Sequence, residues 1–139
     1  MKEKIGFNEI EVGLPLGPWE IDVTPETVDD YMDKSLWHEE DFPERERYSP
    51  SGIFITDHVR MLTKALGGAG SRIWAKSRHE FINPIRVGSR LTKKGRVVEK
   101  YVKRGKRYLV YEVETLDDQG DLVMKSRETS FFGLEEADG

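Results

Sequence analysis

The sequence has no cysteine, which excludes disulfides, thiolate nucleophiles and cysteine-bound metals. Nor does it have a long apolar run. Its first residues, MKEKIGFNEIEVG, are broken by charge and read as neither a secretory leader nor a membrane anchor. A cytoplasmic protein with no membrane partner is expected. Histidine is scarce: His38, His58 and His79 are scattered without metal-ligand spacing, so no metal site is expected. The Gly67-Gly68-Ala69-Gly70 cluster follows a helical pattern instead of opening one, so it is no phosphate-cradling loop, and no cofactor is expected. There is no internal repeat and no low-complexity tract.

With 139 residues the chain reads as a single domain over positions 1–139, with positions 134–139 a frayed tail. Its net charge of −4 conceals an asymmetry. Residues 1–48 hold 14 Asp/Glu against 5 Lys/Arg, whereas residues 72–107 hold 13 Lys/Arg against only Glu80 and Glu99. A basic half attracts phosphate, whether on a nucleic acid or on coenzyme A; equally, such runs are commonly solvated faces. The basic stretch carries no recognised base-stacking motif and competes with an acidic half, so no nucleic-acid partner is expected.

Residues 49–66, SPSGIFITDHVRMLTKAL, organise the rest. Ser49, Pro50, Ser51 and Gly52 are helix-start signals, and Gly67-Gly68 is a stop. Ile55, Val59, Leu62 and Leu66 fall on one stripe, flanked by Phe54, His58, Met61 and Ala65. Only Thr56, Asp57, Arg60, Thr63 and Lys64 form a polar strip, so this helix needs cover on several sides. His58, on the apolar arc, reads as a satisfied core or interface residue.

Upstream, Trp19, Ile21 and Val23 alternate as in a short strand. Thr24-Pro25 then caps a short helix over residues 25–33. Residues 35–48 lack periodicity and form either a lid over the central helix or a solvated connector. Downstream the pattern is β. Ile73, Ala75, Ser77, His79 and Phe81 share one face of a strand, with Trp74 on the other and no evident partner for His79. Strands follow over residues 90–101, 107–116 and 122–132, with Leu91, Val97 and Tyr101 on one face of the first. The turns fall at residues 103–106 and 117–120. One helix before an antiparallel meander is an α+β layout, with the sheet curved around the helix. Its exposed edge strands point to self-association.

The segment Phe81-Ile82-Asn83-Pro84-Ile85-Arg86-Val87-Gly88-Ser89-Arg90-Leu91 resembles the F-x-x-P-[VI]-x-x-G-x-x-[LV] turn of MaoC-like hydratases. Gly95-Arg96-Val97-Val98-Glu99-Lys100-Tyr101, Arg104-Gly105-Lys106-Arg107-Tyr108 and the opening Val23-Thr24-Pro25-Glu26 extend the resemblance over most of the chain. It implies a hot-dog fold, a long central helix wrapped by an antiparallel sheet. It further implies a homodimer or dimer of dimers, and an acyl-CoA or acyl-carrier-protein thioester as partner. The implied reaction is reversible addition of water across the C2=C3 bond of a 2-enoyl thioester. The family's D-x-N-P-x-H acid/base motif is matched by Asp33 and His38, with Ser35 and Leu36 in place of Asn and Pro. The start of the central helix, at Gly52, Ile53 and Thr56, is implied to bind substrate. There the Gly52 N–H would face the enolate-like oxygen. The substituted positions Ser35, Leu36 and Thr56 keep open a non-catalytic acyl-thioester-binding subunit. A thioesterase using Asp57 is the other alternative.

Overall fold

In a computed structural model, residues 6–35, 48–50, 52–67 and 72–134 are described. The chain runs through β1 (Pro15–Asp22), α1 (Pro25–Lys34), β2 (Tyr48–Ser49), α2 (Asp57–Ala65), β3 (Ile73–Phe81), β4 (Ile85–Arg86), β5 (Arg90–Lys103), β6 (Lys106–Leu116) and β7 (Leu122–Leu134). Five strands form one antiparallel sheet in the order β1-β5-β6-β7-β3, and β2 pairs with β4 in a separate two-stranded ladder. This is the expected α+β arrangement, with α2 against the inner face of the sheet.

Local chemistry accounts for the elements. Thr24 caps α1 by accepting from the Thr27 N–H at 3.1 Å, and Pro25 occupies the first helical position, where no N–H is needed. The β5–β6 hairpin turns on Arg104 and Gly105, both at positive φ (54° and 75°), as a two-residue type I′ connection demands. The central helix begins later than its sequence signals suggest. From Gly52 to Thr56 the backbone makes successive i→i−3 bonds, Ile55 N–H to Gly52 C=O at 3.3 Å and His58 N–H to Ile55 C=O at 3.1 Å. The β-branched Ile53, Ile55 and Thr56 weaken α-helix there, and a tighter turn prevails.

Two apolar clusters fill the space under the sheet. One joins Met61 and Leu62 of α2, and Leu66 at its C-cap, to Val97, Leu109 and Val113. The other joins Val28 and Met32 of α1 to Phe54, Ile85, Leu91 and Met124. Each fully buried side chain of this size contributes about 1.5–3 kcal/mol. On β5 the inward positions run Leu91, Lys93, Gly95, Val97, so a lysine stands where the two clusters would otherwise merge.

Two β-bulges correct the strand faces read from sequence. A register shift between Val97 and Glu99 inverts the alternation of β5. Tyr101 therefore leaves the face of Leu91 and Val97 and stacks on Tyr108 of the other face, centroids 5.1 Å apart. A shift between Trp74 and Lys76 in β3 brings Trp74 to the same side as Ser77, against the expectation of opposite faces. Among the described residues β3 pairs with β7 on one side only, and its Ile73 and Phe81 are exposed. Residues 36–47, most of the expected lid or connector, lie outside the described residues, as does the expected tail beyond Leu134. Among the described residues, no helix is long and apolar enough to cross a membrane.

Candidate active site

Asp33 is exposed in the last turn of α1, and His38 lies outside the described residues. Gly52 and Ile53 are half-buried and Thr56 exposed on the turns that lead into α2. Ile53 and Thr56 line a cavity of about 480 Å³ between β1, α1 and the start of α2, together with Trp19, Tyr31 and Asp57. Asp57 does not lie on a solvated strip as its helical phase suggested. It is only 6% exposed and holds Arg60 in an ion pair at 3.1 Å. The turns that replace the first part of the helix place it inside, at the cavity wall.

A second constellation was not brought together by the sequence reading. His58, Lys93 and Glu128, all fully buried, meet between α2, β5 and β7. His58 Nδ1 lies 2.6 Å from Glu128 Oε2, and Lys93 Nζ lies 2.8 Å from His58 Nε2. Lys93 also donates to Thr115 Oγ1 at 2.7 Å. An ammonium is donor only, so His58 Nε2 must accept and the imidazole proton sits on Nδ1, directed at the carboxylate. Trp74 Nε1 donates to Glu128 Oε1 at 2.8 Å, and the Ser77 hydroxyl donates to the same oxygen. From Ser77 the array continues to His79 Nε2 at 2.6 Å, and His79 Nδ1 lies 2.7 Å from Ser126 Oγ. His79 therefore has partners on both ring nitrogens, which its strand pattern did not reveal.

The electrostatics follow from burial. Desolvation pushes the Lys93 ammonium down to about 8, against the pull of Asp57 and Glu128. Desolvation likewise lowers His58, outweighing its bond to Glu128, so His58 is neutral at pH 7. For Glu128 burial would raise the pKa, but the hydrogen bonds from His58, Ser77 and Trp74 together outweigh it and hold the carboxyl below its ordinary value. The array thus contains one buried cation and one buried anion, bridged by a neutral imidazole. Removing either charge would strand the other in a medium where isolated ions are very costly.

His58, His79 and Glu128 also have metal-ligand chemistry, and their ligating atoms lie within 4.8 Å of one another. The bonds already made argue against that use. A cation would have to break the 2.6 Å His58–Glu128 contact and sit beside a buried ammonium. The donor set fits a proton network better.

The array is closed at its Lys93 end and open at β3, where His79 is half-buried and Ser77 and Trp74 are exposed. A sequence signal for it existed in the strand period. Lys93 stands two residues from Leu91, and Glu128 stands midway between Ser126 and Ser130, all inward-facing. Of the basic half expected over residues 72–107, Lys93 belongs to this array, while Lys94 and Arg96 face the other way, beside Lys125 and Arg127 of β7. Lys94, Arg96, Lys125 and Arg127 border a hollow of about 560 Å³ on the outer face of the sheet, where Arg127 pairs with Glu112 at 2.7 Å.

No protein-family model matches the sequence, and no curated protein is similar to it in sequence. Solved structures are similar in fold. The R-hydratase from Pseudomonas aeruginosa, in its unliganded form, superposes with a TM-score of 0.74 at 16% identity, covering 95% of this chain and 87% of that one. The 3R-hydroxyacyl-ACP dehydratase complex from Mycobacterium tuberculosis gives 0.70 at 16% identity, covering 86% and 96%. The MaoC-like dehydratase from Rhodospirillum rubrum gives 0.66 at 16% identity, covering 91% and 95%. At these identities the likeness is one of architecture: the chain has the hot-dog fold.

Proposed function

We propose that this chain, as one MaoC-like hot-dog domain, is a hydratase/dehydratase that adds water reversibly across the C2=C3 bond of a 2-enoyl thioester. The observation that carries the reading is a shared architecture over nearly the whole chain with an R-hydratase and a 3R-hydroxyacyl-ACP dehydratase. Ile53 and Thr56 border a cavity of about 480 Å³ in this scaffold, at the start of the central helix. The carrier is coenzyme A or acyl carrier protein, and the working location is the cytoplasm.

Asp33 and His38 form the acid/base pair of this reading. One takes a proton from water as its oxygen bonds to C3, and the other delivers a proton to C2. The charge that gathers on the thioester oxygen is met by the Gly52 N–H. The working unit is a homodimer or a dimer of dimers. The free edge of β3, with Ile73 and Phe81 exposed, supports self-association, since an unpaired apolar edge is a standing aggregation hazard.

The test is loss of enoyl-thioester absorbance with short, medium and branched 2-enoyl-CoA substrates. Turnover that falls by about a hundredfold or more in both Asp33→Asn and His38→Ala supports the pair. Turnover untouched by both moves the chemistry elsewhere. Saturable acyl-CoA binding without turnover makes this a binding subunit. One observation favours a second reading, thioester hydrolysis. Asp57 is a buried carboxylate at the wall of the same cavity, suitably placed to activate water toward a carbonyl. Release of free thiol that is lost in Asp57→Asn distinguishes it.

A further inference from the structure

The free edge of β3 has exposed apolar residues at its two ends. Ile73 and Trp74 stand at one end, Phe81 and Ile82 at the other. An antiparallel pairing with β3 of a second copy, centred on Arg78, brings these ends together. The extra residue of the bulge, between Trp74 and Lys76, drops out of the count. Trp74 then meets Phe81 of the second copy, Ile73 meets its Ile82, and Lys76 meets its Glu80. Apolar groups and opposite charges coincide in this one register. The hydrogen-bond phase agrees with it. Ile82 N–H bonds to Val123 C=O of β7, so by alternation Ser77 and His79 turn their backbone groups to the free edge. Each Ser77 then exchanges bonds with His79 of the second copy, and the two Arg78 form the narrow pair between them.

The same register concentrates positive charge. Within one copy, Arg78 already lies directly opposite Arg127 on the outer face, where like charges are destabilising. Arg127 is engaged by Glu112 at 2.7 Å and Glu99 at 3.4 Å, whereas Arg78 has no acidic partner among the described residues. Across the dyad the row reads Arg127, Arg78, Arg78, Arg127, on strands about 4.8 Å apart. Pairing takes place at the edge, in the plane of the sheet, so this face stays open. Arg78 and Arg127 of each copy border the outer hollow of about 560 Å³. The acids of the hollow do not obstruct the dyad: Glu112 and Glu114 lie on β6, beyond β7, and Glu80 is taken by Lys76 of the second copy. No aromatic side chain among the described residues borders the hollow, so a nucleobase has nothing to stack on.

We propose that a free polyphosphate binds on this dyad, bridging the arginines of two copies and tightening the dimer. Guanidinium forks take phosphate oxygens in pairs, and a chain of two or three phosphates reaches both central arginines. The proposal rests on the reading of the chain as self-associating through β3, and adds the register and the ligand.

Arg78→Cys tests the register, because the chain has no cysteine of its own. A narrow pair sets Cα atoms about 4.5 Å apart, within disulfide range, so mild oxidation is expected to cross-link two copies. Calorimetric titration of the full-length protein with sodium tripolyphosphate tests the site. One tripolyphosphate per two chains is expected, with ATP binding no more tightly. Arg78→Ala is expected to weaken binding by about tenfold or more at unchanged thermal unfolding. Sedimentation is expected to show a tighter dimer with tripolyphosphate than without. One tripolyphosphate per chain, tighter ATP, no binding, or binding untouched by Arg78→Ala overturns the proposal. A dimer that Arg78→Cys fails to cross-link also overturns it and leaves self-association standing, whereas a monomer under all conditions overturns both.

Discussion

Lys93 Nζ stands 2.8 Å from Nε2 of His58, and this contact fixes the tautomer of the imidazole. With its Nε2 lone pair engaged, His58 can present a proton only at Nδ1, where Glu128 receives it. A lysine and a glutamate that do not touch thus share charge across a neutral ring, inside a core where neither could stand alone. That interdependence governs how the protein responds to substitution and to pH.

Removing one charge should cost far more than removing both. Lys93→Met leaves the Glu128 carboxylate buried without a counter-charge, and Glu128→Gln does the reverse to Lys93. Each is expected to lose about 3–5 kcal/mol. In the double variant neither ion remains, so the loss should be well below the sum of the two. Urea unfolding of the four proteins gives the coupling directly.

Stability should also follow the array's protonation. The folded chain holds Lys93 at about 8 against 10.5 when unfolded, so between these values the unfolded chain binds the extra proton. Stability therefore rises with pH through that window, by about 3 kcal/mol when complete. His58, lowered from 6.5, acts at the other end: stability falls as pH drops below that value. Glu128, held below 4.5, adds a further loss as pH falls through and beneath it. Denaturant midpoints at about pH 7.5 and about pH 10 test the alkaline arm. Lys93→Met should abolish the rise.

Gly95 marks where β5 and β6 approach too closely for a side chain. A Cβ there would lie 2.3 Å from the Glu112 carbonyl oxygen, a backbone atom that cannot swing aside. Gly95→Ala is expected to destabilise by about 2–3 kcal/mol, read as a lowered melting temperature.

The β5–β6 turn is open to improvement. Arg104 sits at φ 54°, a region in which a long side chain is disfavoured and asparagine is tolerated. Arg104→Asn gives the Asn-Gly pair that type I′ turns favour and should stabilise by up to about 1 kcal/mol. Thermal unfolding checks it.

The sequence carries most of this architecture because its elements are strongly periodic or punctuated. Thr24-Pro25, the Arg104-Gly105 tip and the Asp117–Gly120 turn all mark boundaries within a residue or three of those observed. The helix start was less legible, since the capping residues Ser49 to Gly52 precede β-branched positions that take a tighter turn. Two-residue β2 and β4 leave no period to detect. The buried array was hidden for a different reason. Lys93 and Glu128 share the strand period of Leu91 and of Ser126, but charges at those positions read as solvated, and their register against His58 shows what they pair with. The bulge after Trp74 completed the concealment by placing it and Ser77 on one side at a spacing that alternation assigns to opposite sides.

Histidine nitrogen NMR tests the central claim most directly. A ¹⁵N-edited spectrum at neutral pH, with His58 assigned by the loss of its signals in His58→Asn, reports which ring nitrogen carries the proton. The account predicts a neutral His58 protonated at Nδ1, with its Nε2 unprotonated and shifted by the Lys93 ammonium. An imidazolium, or a proton on Nε2, would contradict it.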